Sequence, residues 1–214
     1  MLELSFRKTA APLKILCLGA HADDIEIGCG GTIFRFLGEH KIIVHWVVFC
    51  CPSQREKEAR NSAESLLKKA VKRAIEIREF RDGFFPYQGD QIKEFFEELK
   101  GKLSPDLIFT HARSDLHQDH RIINELTWNT FRDHIILEYE IPKYDGDLGS
   151  PNVFIRLNEE TCKRKIEHVL RFFQTQSGKH WFDEETFRAL MRLRGVEAGT
   201  RYAEAFYCRK FLIA

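Results

Sequence analysis

The chain has 214 residues, 43% of them hydrophobic, enough at that length to bury a substantial core without disulfides. Its 33 lysines and arginines against 32 aspartates and glutamates remove the electrostatic case for a nucleic-acid or acidic-membrane partner. No apolar run approaches the length of a membrane span, and charges interrupt the N-terminal stretch MLELSFRKTAAPLK where a signal peptide would be apolar.

From Lys14 onward, strand-like and helix-like blocks alternate. KILCLGA is a short apolar run of the kind found in buried parallel strands. GGTIFRFLGEH follows as a helix, with its start near Gly28. KIIVHWVVFC, β-branched and aromatic, is the clearest strand, and SQREKEARNSAESLLKKAV is a charged helix with Ser53 as its expected N-cap. AIEIREF alternates with period two, and after a turn and Pro86 the segment DQIKEFFEELKGKL is an amphipathic helix. PDLIFTH is a strand and HQDHRIINELTWNTFRDH a helix. In the C-terminal third IILEYEI, NVFIRL and AEAFYCRKFLI read as strands, and EETCKRKIEHVLRFFQTQ and EETFRALMRLRG as helices.

This order predicts an α/β, Rossmann-like doubly wound, mostly parallel sheet with right-handed crossovers. No linker, repeat or low-complexity segment divides it, so residues 1–214 are expected to form one domain. The six cysteines show no C-x-x-C spacing and read as free buried thiols of a reduced, cytoplasmic, enzyme-sized domain. The 18 phenylalanines suit core packing; those clustered near the C-terminus would also suit an interface in a homo-oligomer.

In open α/β sheets, ligands bind beyond the carboxyl ends of the strands where strand order reverses. His21, Asp23 and Asp24 follow the first strand at that end; His111, Asp115, His117, Asp119 and His120 follow the fourth. In a 3-2-1-4 order the two strands are neighbours and both clusters face one crevice. Imidazole and carboxylate suit zinc, whose catalytic sites use three protein ligands and one open position. Taken singly, Asp23 or Asp24 reads as a helix cap, HQDH as a solvated face, and Asp119 as a helix-dipole partner. Their convergence favours a metal site. A dinucleotide site is disfavoured, because G-x-G-x-x-G counted from Gly28 meets Ile33 at its third glycine. The glycines instead suit close packing of a helix.

AHADDIEIGCGGT and DLHQDH together resemble the two motifs of the LmbE-like, or PIG-L, family of zinc-dependent N-acetylglucosaminyl de-N-acetylases. HVLRFFQTQ, with Thr175-Gln176, and YAEAF resemble the family's C-terminal features, so the likeness spans nearly the whole chain. The resemblance implies that His21, Asp24 and His120 bind zinc. It further implies that Asp23 is the general base, that His117 stabilises the oxyanion or delivers a proton, and that Asp119 orients His117. Ala22 stands where the family has proline, which removes no chemical group. The substrate implied is a small-molecule N-acetyl sugar conjugate, with Arg55 placed to bind a sugar hydroxyl or phosphate; a solvated helix position is its other reading. Ferrous iron would accept the same ligands. A metal-dependent phosphoesterase is the alternative enzyme, with Asp115 joining Asp23 and Asp24 on paired metals. A non-catalytic sugar- or metal-binding protein of the same fold is a third reading.

Overall fold

A computed structural model describes residues 3–5, 10–51 and 53–212, except for the side chains at 53 and 54; the expected Ser53 cap therefore lies outside the described residues. The elements run β1 (Leu13–Gly19), α1 (Asp24–Glu39), β2 (Ile42–Val48), α2 (Ser53–Leu66), β3 (Lys72–Ile77) and α3 (Gly89–Lys102). They continue with β4 (Leu107–His111), α4 (Gln118–Thr130), β5 (Ile135–Tyr139), β6 (Val153–Leu157), α5 (Glu159–Phe172), α6 (Glu184–Glu197) and β7 (Tyr202–Tyr207). Every strand and helix expected from the pattern is present.

One seven-stranded sheet takes the order β3-β2-β1-β4-β5-β7-β6. The first five strands are parallel, and β7 runs antiparallel between β5 and β6. Strand order therefore reverses beside β1, which pairs with β2 on one side and β4 on the other. Alternation along β1 separates two cores: Ile15 and Cys17 face the layer of α1, α2, α5 and α6, while Leu16 and Leu18 face α3 and α4. All six cysteines are free and buried. Among the described residues, no helix is long and apolar enough to cross a membrane. Near the C-terminus Phe173, Phe182, Phe187 and Phe206 are buried, and Phe211 is exposed.

Helix α1 begins at Asp24, one turn before the glycines rather than at them. Its first turn, DIEI, is buried on every side, so it shows no apolar–polar period to mark it as helix. The glycines lie inside the helix and set its packing distance. A Cβ on Gly28 would come within 2.2 Å of the buried Tyr139 ring, and one on Gly31 within 2.7 Å of Leu157. Beside Gly31 the Glu204 carboxylate accepts from Gly31 N (2.8 Å) and Thr32 N (2.6 Å), and Lys165 Nζ donates to it at 2.6 Å. Both ends of that buried ion pair are satisfied, as burial requires.

This packing makes opposite predictions for two glycines of one helix. Gly28→Ala is expected to destabilise by about 1–3 kcal/mol through overpacking against Tyr139. Gly38→Ala, where an added Cβ meets nothing within 4 Å, is expected to stabilise by up to ~1 kcal/mol through helix propensity. Denaturant melts of both variants check the pair; equal signs would contradict the packing.

Candidate metal centre

The carboxyl ends of β1 and β4 bring the two polar clusters together, as the 3-2-1-4 order requires. After β1 the chain turns sharply, and Asp24 Oδ2 accepts from His21 N at 2.6 Å. Asp23 occupies the N-cap position of α1, yet its side chain makes no cap bond. Its Oδ1 accepts instead from Arg55 Nη2 at 2.6 Å. The capping reading of Asp23 is thus excluded, and Arg55 of α2 is at the site rather than on a solvated face. After β4, His117 caps α4, its Nδ1 accepting from Asp119 N at 3.2 Å. His120 sits in the first turn of that helix, buried.

Three acceptor atoms converge. His21 Nδ1 lies 3.1 Å from His120 Nε2 and 3.3 Å from Asp24 Oδ2, and His120 Nε2 lies 3.5 Å from Asp24 Oδ2. Tetrahedral coordination with bonds of ~2.0–2.2 Å separates neighbouring ligand atoms by about 3.3–3.6 Å. The far side of each ring is held by carboxylate. His120 Nδ1 is 2.8 Å from Asp115 Oδ2, and His21 Nε2 lies 3.2 Å from Asp82 Oδ1 and 3.3 Å from Asp119 Oδ2. With protons on those outer nitrogens, the inner ones are free to take a cation together with Asp24. Carboxylate-backed histidines are the usual support of a metal. The residues present fit a zinc ion held by His21, Asp24 and His120.

The charges agree. Burial opposes the charged form of His21, but Asp24, Asp119 and Asp82 outweigh it and hold its pKa well above the usual value. Burial, reinforced by His111, pushes His120 down to about 4. Burial would raise Asp24, yet His120, His111 and His21 bring it well below the usual carboxylate range. Burial raises Asp23 despite Arg55. The carboxylates around His21 thus favour a positive charge at this point, carried by its imidazolium where no cation is bound.

Two further donor triples, Asp24 with His111 and His120, and His21 with Asp82 and Asp119, are less suited. His111, the last residue of β4, has Nε2 3.3 Å from Asp24 Oδ2, but that nitrogen accepts from Ala20 N at 2.9 Å. It therefore secures the end of β1. Asp82 and Asp119 meet the outer nitrogen of His21. Asp119 also accepts from Gly83 N (2.7 Å) and Phe85 N (3.2 Å), so its carboxylate supports His21 and the loop after β3, while its backbone N–H orients His117. Asp115 is taken up by His120, His117 N (2.8 Å) and Lys143 Nζ (3.1 Å), and does not join Asp23 and Asp24 as paired metals would require.

Sequence reasoning passed over Asp82, Gly83 and Lys143. RDG lies just beyond β3 on the same sheet edge, and Gly83 takes φ +74°, a left-handed conformation that suits glycine. That pairing of turn glycine and acid was the available signal. Lys143 comes from the loop after β5, residues 140–152, and reaches the site through Asp115.

Comparison with known proteins agrees with this geometry. A family model described as PIG-L, GlcNAc-PI de-N-acetylase, matches residues 16–131. The uncharacterized deacetylase YaiS of Escherichia coli K12 is 30% identical over 165 residues, 71% of this chain and 86% of that protein. The N,N'-diacetylchitobiose deacetylase of Pyrococcus horikoshii superposes with a TM-score of 0.69 at 22% identity, covering 91% of this chain and 83% of its own. GalB, the 4-carboxy-2-hydroxymuconate hydratase of Pseudomonas putida KT2440, superposes with a TM-score of 0.73 at 16% identity, covering 94% and 98%. At those identities the two structures establish the fold, and the fold alone is compatible with more than one reaction.

Proposed function

The chain belongs to the PIG-L (LmbE-like) deacetylase family, and from that premise we propose that it hydrolyses the acetamide of an N-acetylated sugar conjugate with a zinc ion as cofactor. The observation that carries this reading is the pair of adjacent aspartates with different surroundings. Asp24 closes the triangle of donor atoms with His21 and His120, and Asp23 stands beside it held by Arg55.

Zinc, when bound by His21, Asp24 and His120, supplies Lewis acidity and makes water a competent nucleophile at neutral pH. Asp23 is the general base. Arg55 engages its Oδ1, which leaves Oδ2 to take the proton of the attacking water. Burial raises the basicity of Asp23 above that of an exposed carboxylate, which favours the transfer. His117 donates to the oxygen that becomes negative: its Nδ1 already accepts from Asp119 N, so the proton of the neutral ring sits on Nε2. When the C–N bond breaks, the leaving nitrogen takes the proton that Asp23 Oδ2 accepted from the water. Acetate and a free amine result. Arg55, bonded to Asp23, would also bind a sugar hydroxyl or phosphate of the substrate.

The test is amine release from N-acetylglucosamine conjugates in nucleotide-, lipid- and thiol-linked forms, on metal-stripped protein with and without zinc. Zinc-dependent release from one class is the expected result. Silence across the panel, with zinc bound at one per chain, would sink the amidohydrolase reading and leave the site to other chemistry.

A further inference from the structure

The loop after β5 carries an ion pair that reaches the site from the side opposite Arg55. Its lysine, Lys143, has a side chain only 8% exposed, wedged between the carboxylates of Asp115 and Asp147, themselves 2% and 6% exposed. Asp147 belongs to the same loop, bonds Lys143, and accepts from Leu116 N at 2.7 Å. Asp115 belongs to the turn before α4. Its Oδ1 takes Lys143 Nζ at 3.1 Å and His117 N at 2.8 Å; its Oδ2 takes His120 Nδ1 at 2.8 Å.

We propose that Lys143 is a positioning residue of the metal centre, acting on His120 through the carboxylate of Asp115. The proposal rests on the metal-site reading above. A carboxylate bonded at one oxygen can turn about its Cβ–Cγ bond; one bonded at both oxygens by donors from two different segments cannot. His117 N and His120 Nδ1 hold the two oxygens of Asp115 from its own turn and helix, and Lys143 adds the donor from a second segment, so the ring of His120 is fixed with Nε2 toward His21 and Asp24. Lys143 is also the cation that balances two nearly buried carboxylates. Without it both would be left uncompensated, a costly state that Asp115 would relieve by turning toward water. His120 would then lose the charged acceptor that fixes its tautomer and orientation. Asp147 ties the lysine to the loop but does not touch His120, so it tests the route.

The experiment measures zinc affinity of the metal-stripped full chain by competition with a chromophoric chelator, together with the visible spectrum of the Co2+-loaded protein as a report on ligand geometry. Loss of a partner that orients a metal-bound histidine costs ~10–100-fold in affinity. Lys143→Met, one interaction further out, is expected at the lower end, about tenfold weaker, with an altered Co2+ spectrum. Lys143→Arg should restore affinity to within about threefold, and Asp147→Asn, which leaves the lysine on Asp115, should stay within about threefold. Adding Lys143→Met to Asp115→Asn should weaken binding no further, because both act on one route. Wild-type affinity in Lys143→Met overturns the proposal, as does an Asp147→Asn loss equal to it or a failure of arginine to rescue. If Lys143→Met does not fold, Lys143→Gln, which keeps a donor without the charge, takes its place, with weakening expected. A wild-type chain that binds no zinc would overturn the metal-site reading itself, a distinguishable result.

Discussion

Asparagine at position 23 is expected to lower turnover by about 10²–10⁴-fold, the usual contribution of a positioned general base, while zinc binding is retained. The two effects separate because Asp23 is not one of the three converging donor atoms. Those belong to His21, Asp24 and His120, and the Asp23 carboxylate is turned to Arg55. Asparagine keeps the shape and an oxygen for Arg55 but has no lone pair basic enough to accept a proton. The loss should fall on kcat, because nothing assigned to substrate binding is removed. Metal content and amine release, measured on the same preparation, decide the matter. An undiminished rate with zinc bound would show that another group takes the proton.

The meeting of the two polar clusters was legible in the sequence because both follow neighbouring strands: His21 and Asp24 come just after β1, and His120 lies in the first turn of the helix after β4. A strand's carboxyl end fixes where the next residues go, so alternation of strands and helices is enough to place His21 and His120 on one edge. Adjacent aspartates must also point differently, which assigns two tasks before any coordinate is known. The supporting residues were not legible on the same terms. Asp82 and Lys143 reach the site from loops after β3 and β5, and no period governs a loop; their positions depend on Gly83 turning left-handed and on Asp147 bonding Leu116 N. Insertion of β7 between β5 and β6 was equally hidden, since chain order says that strands exist but not that the last one separates two earlier ones. The start of α1 was missed for the opposite reason: its first turn is too buried to show a face.

Ala22 illustrates how geometry replaces a missing constraint. Proline would stiffen the turn between His21 and Asp23 through its ring. Here the turn is closed by Asp24 Oδ2 on His21 N at 2.6 Å, and Ala22 is 1% exposed, packed into the core beside α1. The carboxylate proposed as a ligand therefore shapes its own loop. Asp24→Asn keeps an oxygen for the His21 N–H but removes the ligand set's one negative charge, so it is a less clean probe of metal binding than a histidine variant.

The cleaner probe is His120→Ala, and its expected effect on the metal exceeds all others. Removing a direct ligand should weaken zinc by roughly 10³-fold or more, against ~10–100-fold for an orienting partner such as Asp115. Heat denaturation supplies a readout independent of any substrate. A ligand that binds the native state alone stabilises it by RT ln(1 + [L]/Kd), about 2.7 kcal/mol when zinc is present at 100 times Kd. The wild-type chain should melt higher as zinc is added. His120→Ala should melt at one temperature with or without it. In the apo state the same substitution removes the 3.1 Å contact of His120 Nε2 with His21 Nδ1 and strands the Asp115 carboxylate without its imidazole partner. Asp115 keeps Lys143 and His117 N, so the apo variant should still fold, and the comparison with zinc remains readable. An equal zinc-dependent rise in both proteins would remove His120 from the ligand set.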